Sequence, residues 1–174
     1  LLLDEGGTVA AQFHTNNCNG NLDVTRKMLV HPTTITGLGD AGAHMPMLCD
    51  GGAASVHLAF WSRDCKRGPG IGLECIFKKL TSECADLYGM ADRGRIRIGQ
   101  KADLNVIDHD RPALGVPRTH YDLPLGGARF LQQATGYVAT LVNGQVTRLD
   151  DEETGARPDR LVRSMVKQSS ARAA

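Results

Sequence analysis

Gly94-Arg-Ile-Arg-Ile-Gly-Gln-Lys-Ala-Asp-Leu-Asn-Val-Ile-Asp108 is the stretch at which the chain changes its pattern. Ile96 and Ile98 alternate with arginines, and Gly94 and Gly99 bracket them as turn residues around a short strand. Leu104, Val106 and Ile107 then form an apolar strand that ends at Asp108. Asp103 is expected to tie a turn to that strand through its short side chain. Upstream, apolar residues fall at helical spacing; downstream, short β-branched runs are separated by Gly, Pro and Asn.

Working back from Gly94, Leu73–Tyr88 reads as one amphipathic helix. Leu73, Ile76, Phe77, Leu80, Ala85 and Leu87 form its apolar face, and Gly89 stops it. Residues 66–72 form a basic Gly/Pro loop, and Ala53–Ser62 forms a helix carrying Trp61. Thr33–Leu38 is short and β-branched, a buried strand running into Gly39-Asp-Ala-Gly-Ala-His44. Before it, Asn21 caps a helix that begins at Leu22 and is ended by Pro32. Thr8–Phe13 reads as another buried strand, and 16–21 as a polar loop. Both predicted strands expose their edges unless another chain or segment pairs with them, so a stable monomer would count against them.

Forward of Asp108, residues 109–135 are rich in Pro and Gly and read as a long surface loop. Gly136–Val142 is a strand, Asn143-Gly144 a hairpin turn and Gln145–Arg148 the returning strand. The tail after Gly155 is polar and ordered only where it docks. The expected fold is α/β. Strands alternate with helices over residues 1–91, and a small β-domain with a polar tail occupies residues 92–174.

Composition narrows the function. With 174 residues, 41% hydrophobic and 22% charged, the chain is globular in character. A formal net charge of +1, with basic residues spread among acids, argues against a nucleic-acid partner or an anionic membrane surface. No apolar run is long enough to span a bilayer. Leu1-Leu2-Leu3 runs straight into Asp4 and Glu5, so it is no signal peptide. It reads as the end of an apolar helix, so a fragment, a processed chain or a truncated reading frame is expected. Cys18, Cys49, Cys65, Cys75 and Cys84 are odd in number and contain no Cys-x-x-Cys pair. They are expected to be reduced thiols packed as small hydrophobes in a cytoplasmic protein.

Asp40 has two readings on the residues alone. A carboxylate at the C-terminal end of a parallel strand, among Gly39, Ala41 and Gly42, can take a proton from a water and return it to a leaving amine. The same Asp can equally cap a turn. His44 can contact a substrate carboxylate or acyl group, or merely pack the loop. Cys49 and Asp50 lie in the same long loop, but Cys49 has no spaced partner and packing is favoured. Arg63 and Arg67 can hold a carboxylate through two hydrogen bonds, or form ordinary salt bridges. His31 suits a helix end. His14 follows a predicted strand, and His57, His109 and His120 read as helix-surface or loop residues.

Several segments carry a family likeness. Thr36-Gly-Leu-Gly-Asp-Ala-Gly-Ala-His44 resembles the strand-eight segment of the N-acyl-D-amino-acid deacylases (D-aminoacylase-like enzymes) of the amidohydrolase superfamily. Trp61-Ser-Arg-Asp64 and Leu80-Thr-Ser-Glu-Cys-Ala-Asp-Leu-Tyr-Gly-Met-Ala-Asp-Arg-Gly94 match further segments of that family. The stretch 94–108, Asp122-Leu-Pro-Leu-Gly-Gly127 and Gly136-Tyr-Val-Ala-Thr-Leu-Val-Asn-Gly144 do so too. The likeness runs from about residue 20 to 163.

It implies the last strands and helices of a metal-dependent (β/α)8 barrel followed by a small β-sandwich domain. It implies hydrolysis of the amide C–N bond of a small N-acyl amino acid, with zinc as the metal. Asp40 is implied as the catalytic acid–base group, with a weaker implication as a metal ligand, and His44 as a substrate contact. A metal centre of this kind takes about three protein ligands, and a full barrel about 250 residues. The family's His-containing metal motifs are absent from these 174 residues. The other ligands are therefore expected from a missing N-terminal portion or another chain, and the chain alone is not expected to turn over substrate. The alternatives are a non-catalytic remnant or assembly subunit, and a dihydropyrimidinase-like cyclic amidohydrolase.

Overall fold

The computed structural model describes residues 21–37, 39–44, 48–158 and 160–162. The predicted strand Thr8–Phe13, His14 and Cys18 lie outside them. The chain divides into two compact units, Leu1–Thr34 and Ile35–Ala174.

In the first unit, α1 spans Asp23–Val30, close to the predicted helix. The cap position falls on Leu22, which makes no side-chain cap bond; Asn21, expected as the cap, stands one residue further out, and its Oδ1 accepts the Asp23 N–H at 2.8 Å. Asp23 in the first turn and Lys27 in the last complement the helix dipole. His31, before Pro32, is already extended (φ −64°, ψ 136°), because a residue preceding proline avoids the helical region. The predicted strand Thr33–Leu38 does not form over its described residues, 33–37. Thr34 closes a turn instead: its N–H donates to the His31 carbonyl at 3.2 Å. Its hydroxyl reaches the carbonyls of Met28 (2.6 Å) and His31 (3.0 Å). Hydroxyl bonds of this kind compete with a β-ladder for the backbone.

The second unit holds the remaining helices and all the described strands. α2 (Ala53–Val56) continues into a π-helical segment, His57–Asp64. The predicted single helix over Leu73–Tyr88 is two, α3 (Leu73–Leu80) and α4 (Ser82–Leu87). The break falls at Thr81 (φ −125°, ψ −82°). The Thr81 hydroxyl donates back to the Phe77 carbonyl at 2.6 Å, a local bond that favours bending. At the end of α4, Met90 N–H bonds Ala85 O and Gly89 N–H bonds Asp86 O. With Gly89 at φ 66°, this is the left-handed helix stop expected at that glycine.

Leu58, Trp61, Ile71, Ile76, Ala85 and Pro112 are buried apolar residues of this unit. Each large apolar side chain among them contributes roughly 1.5–3 kcal/mol on burial. Lys79 is buried along its stem, with Nζ 3.4 Å from the Glu83 carboxylate.

Strands β1 (Leu104–Ile107), β6 (Tyr137–Val142), β7 (Gln145–Leu149) and β8 (Glu152–Glu153) form an antiparallel sheet in the order β1-β6-β7-β8. Asn143 (φ 51°) and Gly144 (φ 78°) make the β6–β7 turn, the doubly left-handed geometry that matches the twist of a tight hairpin. Asp103 ties this turn to the start of β1. Its Oδ1 accepts the Asn143 N–H and its Oδ2 accepts from Arg93, both at 2.8 Å.

Two expectations for this region fail. Residues 109–135 are not one long loop: they contain β2 (Ala113–Leu114), β3 (Arg118–Leu123), β4 (Gly127–Leu131) and β5 (Ala134–Thr135). β2 pairs with β5 and β3 with β4, and Arg129 grips both carboxylate oxygens of Asp122 across the ribbon. Proline is tolerated here because these are two-stranded edges. The short strand expected between Gly94 and Gly99 is absent, and Ile96 and Ile98 stand exposed. Arg95 is drawn back to α4 by a paired contact with Asp86.

Helices and strands are joined by polar contacts. Ser55 Oγ lies 2.7 Å from Tyr137 Oη. Arg63 donates to the carbonyls of His109 (3.1 Å) and Pro112 (3.0 Å). Pro112 is fully buried.

Candidate functional site

Gly39–His44 forms a tight exposed turn. The Ala43 N–H donates to the Asp40 carbonyl oxygen at 3.0 Å. Gly42 (φ 91°) and His44 (φ 46°) both take left-handed conformations, easy for the glycine and costly for the histidine. Asp40 and His44 are both exposed, so the turn presents a carboxylate and an imidazole to solvent four residues apart.

A second segment, Cys49–Gly51, lies against the base of this turn. The Gly51 N–H bonds the Cys49 carbonyl at 2.7 Å and folds the segment sharply. A Cβ on Gly39 would stand 2.5 Å from the Asp50 carbonyl oxygen and 2.8 Å from Asp50 Cβ. A Cβ on Gly51 would meet Ala41 Cβ at 3.5 Å. The small residues around Asp40 thus serve close chain approach as well as access. Burial, and then the neighbouring Asp50 charge, push the Cys49 thiol up from its ordinary value.

The structure sorts the other candidates. Arg63 is committed: it holds both carboxylate oxygens of Asp64 at 2.8 Å besides the two carbonyls already named. The Asp64 hydrogen bond raises the Arg63 guanidinium further and lowers the Asp64 carboxyl. Arg63 acts as a strap between the π-helical segment and the connection from β1 to β2. Arg67 is exposed, and its carbonyl accepts from the Cys65 thiol at 3.5 Å. His31 is a turn residue, with Nδ1 2.8 Å from Thr33 Oγ1. His109 Nε2 lies 2.8 Å from Ser62 Oγ, and His120 sits on β3 opposite Arg129.

His57 corrects the expectation of a surface residue. It is only 8% exposed, and its Nδ1 lies 2.6 Å from the Ala53 carbonyl. That carbonyl accepts from Nδ1–H, and Nε2 is buried without a partner. His57 ends α2 with ordinary helical dihedrals (φ −61°, ψ −43°), and residue spacing gave no signal of its burial. Ser62 donates to Leu58 O at 2.5 Å, so the Ser62–His109 contact does not make an activated serine.

A cleft of about 540 Å³ lies elsewhere. Leu58, Phe77, Leu80, Ile96 and Leu104 line it, and Asp40 does not. Its polar residues Arg95, Asp103 and Tyr137 are already bonded within the protein. It lacks the convergent polar groups of a catalytic pocket.

Comparison with known proteins found no match among curated proteins and none among solved structures. The family model described as the amidohydrolase family matches residues 6–148. Its members are hydrolases acting on C–N bonds and usually bind metal ions. The described residues do not fit a metal centre: no three or more His, Cys, Asp or Glu side chains among them are grouped to hold one. Asp40 and His44 share a turn, yet no third donor among the described residues completes them. The match spans most of the chain, and the protein belongs to the amidohydrolase family.

Proposed function

We propose that this chain is the C-terminal part of an amide hydrolase of the N-acyl-D-amino-acid deacylase type, and that Asp40 is its acid–base residue. One observation carries the reading. Within the segment Thr36–His44, whose residues resemble those of the deacylases, Asp40 stands exposed on a turn of small residues that leave a substrate room to approach. In this role the Asp40 carboxylate accepts a proton from the attacking water, and the carboxylic acid so formed returns it to the departing amine nitrogen. His44, on the same turn, is the proposed contact for the substrate's carboxylate.

Zinc belongs to this reading through the resemblance alone. Since the described residues do not fit a metal centre, the roles above are limited to this chain's own side chains. The proposal includes a barrel end over residues 1–91 and a β-domain over 92–174, completed by the rest of a barrel or by another chain. It also places the protein in the cytoplasm, which the free thiols of Cys49, Cys65, Cys75 and Cys84 support. No helix among the described residues is long and apolar enough to cross a membrane.

The test is amine release from N-acyl-D-amino acids by protein purified from its native source. The expected result is turnover of the D-isomers that falls about 10²–10⁴-fold in Asp40→Asn with KM little changed. Full activity in that variant would sink the proposal. Among the described residues no third His, Cys, Asp or Glu joins Asp40 and His44, which fits a second reading, a non-catalytic assembly subunit. In that case the native protein releases no amine.

A further inference from the structure

We propose that Gly39 and the Cys49–Gly51 segment form a clamp that positions Asp40, with the absent side chain of Gly39 as its working part. The catalytic importance of the clamp rests on the reading of Asp40 given above; its mechanics do not.

Gly37 and Gly39 flank one residue of the same segment, yet their surroundings differ completely. A Cβ at Gly37 would meet nothing within 4 Å. At Gly39 it would lie 2.5 Å from the Asp50 carbonyl oxygen, 2.8 Å from Asp50 Cβ and 3.3 Å from the Asp50 carbonyl carbon. Two of these are backbone atoms, which no change of side-chain rotamer can move away. Either the Cys49–Gly51 segment or the Gly39–Asp40 peptide must therefore shift. Gly39 is not held by a left-handed φ, so close approach is what demands glycine there. Cys49–Gly51 is itself folded by the Gly51 N–H to Cys49 carbonyl bond, and Gly51 faces Ala41 on the other side of Asp40. The residues before and after Asp40 are thus both seated on one short segment. Asp40 makes no described side-chain hydrogen bond that would hold it otherwise. Sub-ångström placement of a catalytic carboxylate is worth large factors in rate, so a backbone seat of this kind is a positioning device.

The experiment compares Gly37→Ala with Gly39→Ala in the full chain, by two readouts. The first is alkylation of Cys49 by iodoacetamide, followed at the level of the Cys49 peptide, with the Cys75 peptide as the internal reference. The second is the ¹³Cγ resonance of Asp40, assigned by its loss in Asp40→Asn. Gly39→Ala is expected to speed Cys49 alkylation at least about fivefold by lifting the segment. It is also expected to move the Asp40 resonance. Gly37→Ala is expected to change neither. Unchanged Cys75 labelling shows that the rest of the fold survives. Equal behaviour of the two variants overturns the clamp. Failure of the native protein to release amine from any N-acyl amino acid removes the deacylase reading and leaves the clamp standing.

Discussion

At the scale of single residues, Asp40 and Asp103 show how the same side chain takes opposite duties. Asp103 spends both oxygens on the protein, one on the Asn143 N–H and one on Arg93. Its structural role was legible because a short acceptor between a turn and a strand has few other uses. Asp103→Ala should cost about 1 kcal/mol, since the lost bonds are exposed and water replaces them in part. Urea denaturation checks this, and a cost near zero would mean that the hairpin holds its register without the tie. Asp40 presents its side chain to solvent instead. The burial of His57 was not legible, because an imidazole at the end of a short helix fits a surface as well as a core, and only the packed neighbours decide.

At the scale of elements, the turns were read better than the strands. Gly89, Asn143 and Gly144 all take the left-handed conformations that their residue types favour. Glycines at 94 and 99 were expected as turns, and both have positive φ, 82° and 86°. They separate on packing. A Cβ at Gly94 would lie 2.5 Å from Ala85 Cβ, whereas one at Gly99 would meet nothing. Gly99→Ala is expected to cost about 1 kcal/mol for the strained φ alone. Gly94→Ala adds overpacking and is expected to cost roughly 2–4 kcal/mol in total. Chemical denaturation of both variants checks the order, and equal costs would show that α4 yields freely. Among the described residues, neither the run 33–37, where the Thr34 hydroxyl also bonds the backbone, nor the run 94–99 is paired with a strand. A β-branched or alternating run suits a strand, but it becomes one only where a partner edge is available, and propensity carries no information about the partner.

At the scale of the whole molecule, exposed and half-buried ion pairs govern the expected response to acid. The Arg95 hydrogen bond holds Asp86 below the ordinary carboxylate range, as Arg129 does for Asp122. Arg93 and then Lys101 do the same for Asp92, and Lys78 foremost for Glu83. A carboxyl lower in the folded state than in the unfolded state stabilises the fold above the unfolded value. That stability is lost as pH falls through the folded value. The melting temperature is therefore expected to be insensitive to these pairs from pH 7 to about 5, and to fall below about pH 4. Added salt should shrink the effect, most for the Asp86 and Asp122 pairs, whose carboxylates are the more exposed and so the more screened. Melting curves across pH at two salt concentrations measure it, and a midpoint that climbs between pH 5 and 3 would contradict it.

The sequence by itself determined the helix α1, the helical character of 53–64 and 73–87, the strands β1, β6 and β7, and the hairpin turn between the last two. These depend on contacts within a few residues, such as apolar spacing, a cap, a glycine stop or a two-residue turn. It also located the small-residue turn around Asp40. The tertiary structure alone decided the pairing of β2 with β5 and β3 with β4 inside a Pro- and Gly-rich stretch, the burial of His57, and the diversion of Arg63 into a strap. It alone showed that Gly39 lacks a side chain because Asp50 occupies its place. Each of these depends on which distant residue arrives opposite, and only the closed fold supplies that neighbour.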